Sequence, residues 1–307
     1  MKSHKLVSVI IVNKNDLGIA TTLDHLDQLR HDVPCEVIVV DASDPGQMDD
    51  IQLSYPWVKW ETYPSSRRRT TPEQRNRGLE LAQGDIIAFI DANCIPSPDW
   101  LASIRANIDA GKAIVCGPVL DSSLNNLVHY APSLDEPRYV EGCTTISVGL
   151  TRQVIESIGG FDPSFSFGQD VDFFWRAADA GYKIYYDPKI SISHDWGPRR
   201  EQLVRAYSYG LARAHLYEKH WPSRKRQLLH ETHVWIYPIF LLGLPLTFIF
   251  PYYPLFILIP MVKNLRSNPF GLIAHHLTYG VGVLAGTIKS WPISLPVLHA
   301  NGPKDQR

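Results

Sequence analysis

No Cys-x-x-Cys pair occurs in this 307-residue chain, and its four cysteines, at positions 35, 94, 116 and 143, lie far apart. That spacing argues against a zinc cluster and a disulfide framework, and reads as buried thiols in a reducing compartment. Net charge is nearly absent: 30 Lys and Arg against 31 Asp and Glu leave −1, so no basic field points to nucleic acid. The first strand–helix junction lacks Gly-x-Gly-x-x-Gly and offers Gly18 alone, which argues against a dinucleotide-binding dehydrogenase. Residues 6–12 (LVSVIIV) are too short for a secretory leader and run straight into polar sequence, so no signal peptide is expected. There is no internal repeat and no low-complexity tract. One absence is local: from 234 to 262 the chain carries no His, Lys, Arg, Asp or Glu.

What is present reads as an α/β chain with an apolar end. The length suits one large domain, or one of about 200–230 residues with an appendage. Residues 6–12 and 35–40 (CEVIVV) are compact β-branched strands. Between them, residues 17–29 place apolar side chains at helical spacing, so the opening reads β-α-β. Residues 58–60 suggest a third strand. A helix is expected over 71–82, with Pro72 early and Gly84 beyond its end. Strands at 85–90 and 113–116 flank a helix at 100–109. Further on, helices at 151–158 and 171–180 precede short strands at 183–186 and 190–193. This alternation implies a mostly parallel sheet covered by helices, with ligands outside the carboxyl ends of its strands.

The last third differs. Eight Lys and Arg crowd residues 199–230, against Glu201 and Glu218. The uncharged stretch that follows is long enough to cross a bilayer, though Pro238, Pro245, Pro251, Pro254 and Pro260 would interrupt a straight span. Residues 270–288 form a second apolar stretch containing His275 and His276. Two spans, a re-entrant hairpin or an interfacial tail all fit, and the basic segment suits a cytoplasmic membrane face. The other reading is an oligomer contact or a helical cap. The expected division is 1–198 as a catalytic domain, 199–232 as a basic linker and 233–307 as a hydrophobic helical, membrane-associated region.

Several polar residues could carry chemistry. Asp41 lies just past the second strand, where a carboxylate can meet a nucleobase or ribose hydroxyl, or simply form a turn with Asp44-Pro45-Gly46. Arg75 sits on a helix that can approach the same crevice, where it contacts a base or phosphate or forms a surface ion pair. Asp91 and Asn93 are two residues apart after a strand. In an extended segment both would face one side, as a hydrated Mg²⁺ or Mn²⁺ against a diphosphate requires; loop capping is the alternative. Asp170 and Asp172 flank a helix start, as caps or as a general base. His194 follows a strand as a metal or phosphate partner, or as a satisfied structural histidine. Trp175, Trp196 and Trp235 line an acceptor site or fill core.

Taken in order, SVIIVNKN, EVIVVDASD, EQRNRGLELAQGDIIAFIDAN, IPSPDWL, IGGFDPSFSFGQDVDFFWRAADAGYKIYYDP and ISH closely resemble the family 2 glycosyltransferases with a GT-A fold, over roughly residues 6–200. The resemblance implies that Asp41 contacts uridine, that Arg75 lies near the nucleotide, and that Asp91 and Asn93 stand at the Asp-x-Asp metal motif. It makes Asp170 the catalytic base and His194 a partner of the metal-bound diphosphate. Asn93 stands where Asp is usual, and Gln169 where Glu is usual. The first removes a negative charge from the metal; the second removes a like-charge neighbour that would raise the Asp170 pKa. The implied activity is inverting transfer from a nucleoside-diphosphate sugar, UDP before GDP, to a hydroxyl of a lipid-linked or glycan acceptor, with Mg²⁺ or Mn²⁺. The implied place is the cytoplasmic face of the inner membrane, with a homo-oligomer left open. Transfer to a soluble small molecule or protein, and a nucleotide-sugar binder without useful transferase activity, are the other readings.

Overall fold

The computed structural model describes residues 6–63, 70–121, 134–259 and 269–290. Four parallel strands open the main sheet: β1 (Val7–Asn13), β2 (Cys35–Asp41), β3 (Lys59–Thr62) and β4 (Ile86–Ile90). β4 (IIAFI) is buried at every residue, the continuous apolar run expected of a strand covered on both faces. A second sheet joins β5 (Cys94–Pro96), β11 (Ile192–His194) and β7 (Val119–Asp121). β6 (Ile114–Cys116), β8 (Arg138–Val140), β9 (Ser147–Thr151) and β10 (Ile184–Tyr186) complete the main sheet in the order β3-β2-β1-β4-β9-β6-β10-β8. β9 is antiparallel to both β4 and β6, and β8 is antiparallel to β10, so the parallel pattern is broken on one side.

Two cores lie on the two faces. On one, α1 (Ile19–Leu29) and α4 (Trp100–Asp109) set Leu23, Leu26, Trp100 and Ile104 against Val9, Ile11 and Ile90. On the other, α3 (Thr71–Leu81), α5 (Arg152–Ile158) and α6 (Gln169–Asp179) pack Leu79, Val154, Phe173 and Phe174 against Ile10, Ile87 and Phe89. α3 starts on a capping box between Thr70 and Glu73 with Pro72 in its first turn, which satisfies otherwise orphaned backbone N–H groups. A short helix, α2 (Asp49–Ser54), precedes β3. The expected strand at 58–60 lies at Lys59–Thr62, and the helix expected from 171 starts at Gln169.

The C-terminal third folds back on this body. α7 (Arg199–Lys219) and α8 (Trp221–His230) are followed by α9 (His233–Leu242), two 3₁₀ segments at Leu244–Phe248 and Tyr253–Leu258, and α10 (Pro269–Ser290). The described part of the uncharged stretch is therefore no continuous span. Pro238 lies inside α9, and Pro245 and Pro254 open the 3₁₀ segments, where a missing N–H and a fixed φ favour short turns. Among the described residues, Pro269–Lys289 is the one helix long and apolar enough to cross a membrane. α10 lies along α7 at backbone contact: a Cβ on Gly210 would meet the Tyr279 carbonyl, and one on Gly282 the Tyr207 carbonyl. Residues 260–268 and 291–307 of the expected hydrophobic region lie outside the described residues.

Candidate active site

Asn13 and Asp41 end adjacent parallel strands in register, at the carboxyl edge of the main sheet. Asp41 Oδ1 accepts from Asn13 Nδ2 at 3.2 Å, from the Ser43 N–H at 3.1 Å and from the Ser43 hydroxyl at 2.5 Å. Ser43 Oγ in turn accepts the Asn15 N–H at 2.6 Å. One carboxylate oxygen is thus fixed by protein donors, which sets the direction of the other. Sequence reasoning found Asp41 but not Asn13 and Ser43, whose roles follow from strand register and a tight turn.

Arg75 lies in α3 and is almost wholly buried. Its Nη2 donates to Asp91 Oδ1 at 2.9 Å, while Nη1 is buried with no hydrogen-bond partner among the described residues. A buried, unsatisfied guanidinium N–H is costly, and it suits a site that an anionic or hydroxylated ligand completes.

Asp91 follows β4, but residues 91–93 are not extended. Asn93 sits in a turn at φ +62°, a conformation asparagine tolerates better than most residues. Its side chain lies over α1's approach: a Cβ on Gly18 would be 2.8 Å from Asn93 Oδ1. Strand alternation therefore does not place Asp91 and Asn93 on one side, because the chain reverses between β4 and β5.

His194 ends β11, in register with Cys94 on one side and Asp121 on the other. Its Nδ1 is 3.5 Å from Cys94 Sγ, and its ring meets Trp196 edge-on at 4.7 Å. Asp121 has no sequence signal beyond a short strand after Gly117-Pro118; only the pairing of distant strands brings it beside His194. Among the described residues, no three His, Cys, Asp or Glu side chains gather into a closed metal cage. Asp91, just past β4, is a carboxylate that could hold a hydrated hard cation whose remaining ligands are phosphate oxygens and water. Asn93 adds no charge to it.

The two acidic residues in the first turn of α6, Asp170 and Asp172, have different surroundings. Gly168 caps the helix at φ +73°, a left-handed conformation favouring glycine, and a Cβ there would press on Leu216 and Ala212 of α7. Asp172 has no exposed side-chain surface and accepts from Lys219 Nζ at 2.6 Å, Arg176 Nε at 2.9 Å and His220 Nε2 at 2.9 Å. Burial works to raise its pKa, but Lys219, His220 and Arg176 outweigh burial and hold it below the usual carboxylate range. Asp170 makes no such ion pair among the described residues; its Oδ1 accepts the Val171 N–H at 2.9 Å. Burial raises its pKa, with Arg75 and then Arg213 pulling the other way. The shift expected to be lost with Gln169 is thus supplied by desolvation. Gln169 itself leaves Oε1 buried without a partner among the described residues.

Asp170 opens on a cavity of about 670 Å³. Its walls come from the 116–119 and 140–146 segments, the start of α6, α7 (Tyr209, Ala212, Arg213, Leu216), His233 of α9 and His275, His276 and Tyr279 of α10. Trp196 lines it, whereas Trp175 is buried against Tyr217 and His220, and Trp235 is partly exposed elsewhere. Of the predicted site residues, the structure joins Arg75 directly to Asp91, sets Arg75 near Asp170 electrostatically, and keeps Asp41 and His194 on their own strand ends. Asp170 is the one among them that lines the cavity.

Residues 8–152 match the family described as Glycosyl transferase family 2. A pre-mycofactocin glycosyltransferase of Mycobacterium tuberculosis is 29% identical over 238 residues, covering 71% of this chain and 49% of that protein. Glycosyltransferase AglE of Haloferax volcanii is 25% identical over 186 residues, covering 57% of this chain and 61% of that protein. The chain thus spans about half the length of the first relative it matches. A mannosyltransferase from Pyrobaculum calidifontis, solved with GDP-Man and Mn²⁺, superposes with a TM-score of 0.63 at 16% identity, over 94% of this chain and 88% of that one. Strand order, strand-end acidic residues and these likenesses agree: residues 8–152 carry the match to glycosyl transferase family 2, and the chain has an α/β GT-A-like fold.

Proposed function

We propose that the chain transfers a sugar from a nucleoside-diphosphate sugar, UDP before GDP, to an acceptor hydroxyl with inversion at the anomeric carbon. The observation that carries this reading is buried Arg75, with one guanidinium arm on Asp91, the other without a partner among the described residues, and its charge felt by Asp170. That arrangement suits a donor phosphate or ribose on one side and a proton acceptor on the other. Asp41, fixed by Asn13 and Ser43, would receive the base or ribose. Asp91 would hold Mg²⁺ or Mn²⁺ with His194 nearby; when bound, the ion would offset charge on the diphosphate. Asp170 would take the acceptor hydroxyl proton as the oxygen bonds to the anomeric carbon and the diphosphate departs with the electron pair of the broken C–O bond. A desolvated carboxylate with a raised pKa is a stronger base than an exposed one. No second carboxylate is needed for a single inverting displacement.

Residues 1–198 would form the catalytic domain, with 199–232 as a basic connector and 233–307 as the membrane-associated region. The apolar surface at 239–259, with Phe248 94% and Ile249 84% exposed, fits a bilayer surface at the cytoplasmic face of the inner membrane. α10 is packed along α7, a helix that carries ion pairs to the catalytic body, so insertion at the interface fits better than a lone span. The acceptor would then be lipid-linked or a glycan at that surface.

The test is Asp170→Asn, assayed for nucleoside-diphosphate release and for product mass across donors and acceptors. Turnover is expected to fall by roughly 10²–10⁴-fold, with nucleotide affinity retained. Near-normal turnover by that variant would remove Asp170 as the base.

A further inference from the structure

We propose that the cavity beside Asp170 is the acceptor site, and that it takes a hydroxyl carried on an apolar alkyl or aryl body. The proposal rests on the transferase reading above and names the acceptor class for it. Asp41, Arg75, Asp91 and His194 do not line this cavity, whereas Asp170 does. The space therefore lies beside Asp170 and is walled by other residues than those placed at the donor. Trp196 lies between the two, lining the cavity while its ring meets His194 at 4.7 Å.

The volume, about 670 Å³, suits one compact ligand body and not an extended groove. Much of the cavity wall is apolar, with Val119, Val140, Ile146, Val171, Ala212 and Leu216 among its residues. A fully hydroxylated acceptor would lose water there and find few replacement hydrogen bonds, while an alkyl or aryl body loses nothing polar. Polar groups gather on the walls from α7, α9 and α10, as Arg213, His233 and His276. Arg213 pairs with Glu231 at 3.4 Å, and His276 Nδ1 is 2.8 Å from the Tyr237 hydroxyl. His276 Nε2 has no partner among the described residues and can meet a second polar group of the acceptor. The helices of the C-terminal third thus complete the acceptor site.

In the step, the acceptor O–H proton passes to the Asp170 carboxylate and the acceptor oxygen forms the new bond to the anomeric carbon. The old C–O bond breaks, and its electron pair leaves with the nucleoside diphosphate.

The test uses the full chain, one active donor and hydroxyl acceptors matched except for their bodies: n-octyl glucoside and 4-propylphenol against glucose and glycerol. Acceptor KM is expected to be at least tenfold lower for the apolar bodies. Ala212→Phe, which fills the cavity from α7, should raise acceptor KM at least tenfold and leave nucleoside-diphosphate affinity unchanged. Val119→Thr, of similar shape, serves where the larger residue disturbs folding, and should narrow the apolar preference at least threefold. A long-chain alkyl glucoside in phosphatidylcholine vesicles, compared with the short soluble acceptor, separates a membrane-borne body from a free one; faster use of either supports the same class. Equal KM for polar and apolar bodies would overturn the proposal, as would folded variants with unchanged acceptor KM. Absence of both nucleotide binding and transfer would instead remove the transferase reading, and this inference with it.

Discussion

Replacing Asp172 by Asn tests whether this acid of α6 is structural, as distinct from Asp170, proposed as the base. The Asp172 side chain has 0% exposure, and it meets Lys219, Arg176 and His220 within 2.9 Å. Removing one partner of a buried ion pair typically costs roughly 3–5 kcal/mol, because the remaining charge is left uncompensated. Here Lys219 and Arg176 keep 31% and 22% of their side chains in water, and Lys219 retains Asp162 at 2.6 Å, so the lower end applies. A loss of about 3 kcal/mol corresponds to a melting point roughly 6–12 °C lower for a body of this size. Circular dichroism at 222 nm would read it at pH 7. The difference should also depend on pH. Asp172 is held below its ordinary value, and Asp162 is lowered to about 2, with burial opposing and Lys219 dominating. A depressed carboxylate contributes its stability above the unfolded-state pKa, about 3.9, and loses it as pH falls through the folded value. The gap between variant and wild type should therefore narrow as pH falls below about 4. Asp170→Asn should not melt lower, because burial raises that carboxyl and its ionisation opposes folding at neutral pH. An Asp172→Asn protein melting within about 2 °C of wild type at pH 7, or a gap unchanged down to pH 2, would refute this account of α6.

Gln169→Glu places a like charge beside Asp170 in a buried setting, so the acid limb of the turnover profile should move to higher pH by on the order of one unit; an unmoved limb would contradict the proximity of the two groups. Asp91→Ala should weaken donor binding and remove any gain in turnover from added Mg²⁺ or Mn²⁺, and exhaustive chelation should do the same to the wild type. Full activity after chelation would exclude the metal role of Asp91. Phe248→Glu, in the exposed apolar surface, should reduce co-sedimentation with anionic phospholipid vesicles without lowering the melting point, since Phe248 is 94% exposed. Equal sedimentation of variant and wild type would remove that surface as the membrane contact.

The opening alternation of strands and helices was legible because each element buries a face whose period shows in the residues. Val7–Asn13, Cys35–Asp41 and Ile86–Ile90 are short β-branched runs, and Trp100–Asp109 has the apolar spacing of an amphipathic helix. Asp41, Asp91 and Asp170 could be nominated for a related reason: each stands at the end of a strand or the start of a helix, where a side chain can leave the core. The reading failed where long-range contacts decide. Asn93 looked like a strand partner of Asp91, yet the turn into β5 rotates it over Gly18. The stretch from 234, by contrast, was legible in part: its prolines were expected to interrupt a straight span, and its described part forms α9 and 3₁₀ turns.

Asp170 and Asp172 draw that boundary most sharply. Two residues apart, they are equivalent in a linear reading: both are acids in the first turn of a helix. Local rules, which depend on a few neighbouring residues, suffice to place that turn and to nominate its carboxylates. They cannot rank them, because the ranking depends on Lys219 and His220, nearly fifty residues downstream, folding back onto one carboxylate while the other faces a cavity roofed by α7 and α10. Electrostatic environment and cavity shape are sums over groups distant in the chain, and only the packed molecule brings those groups together.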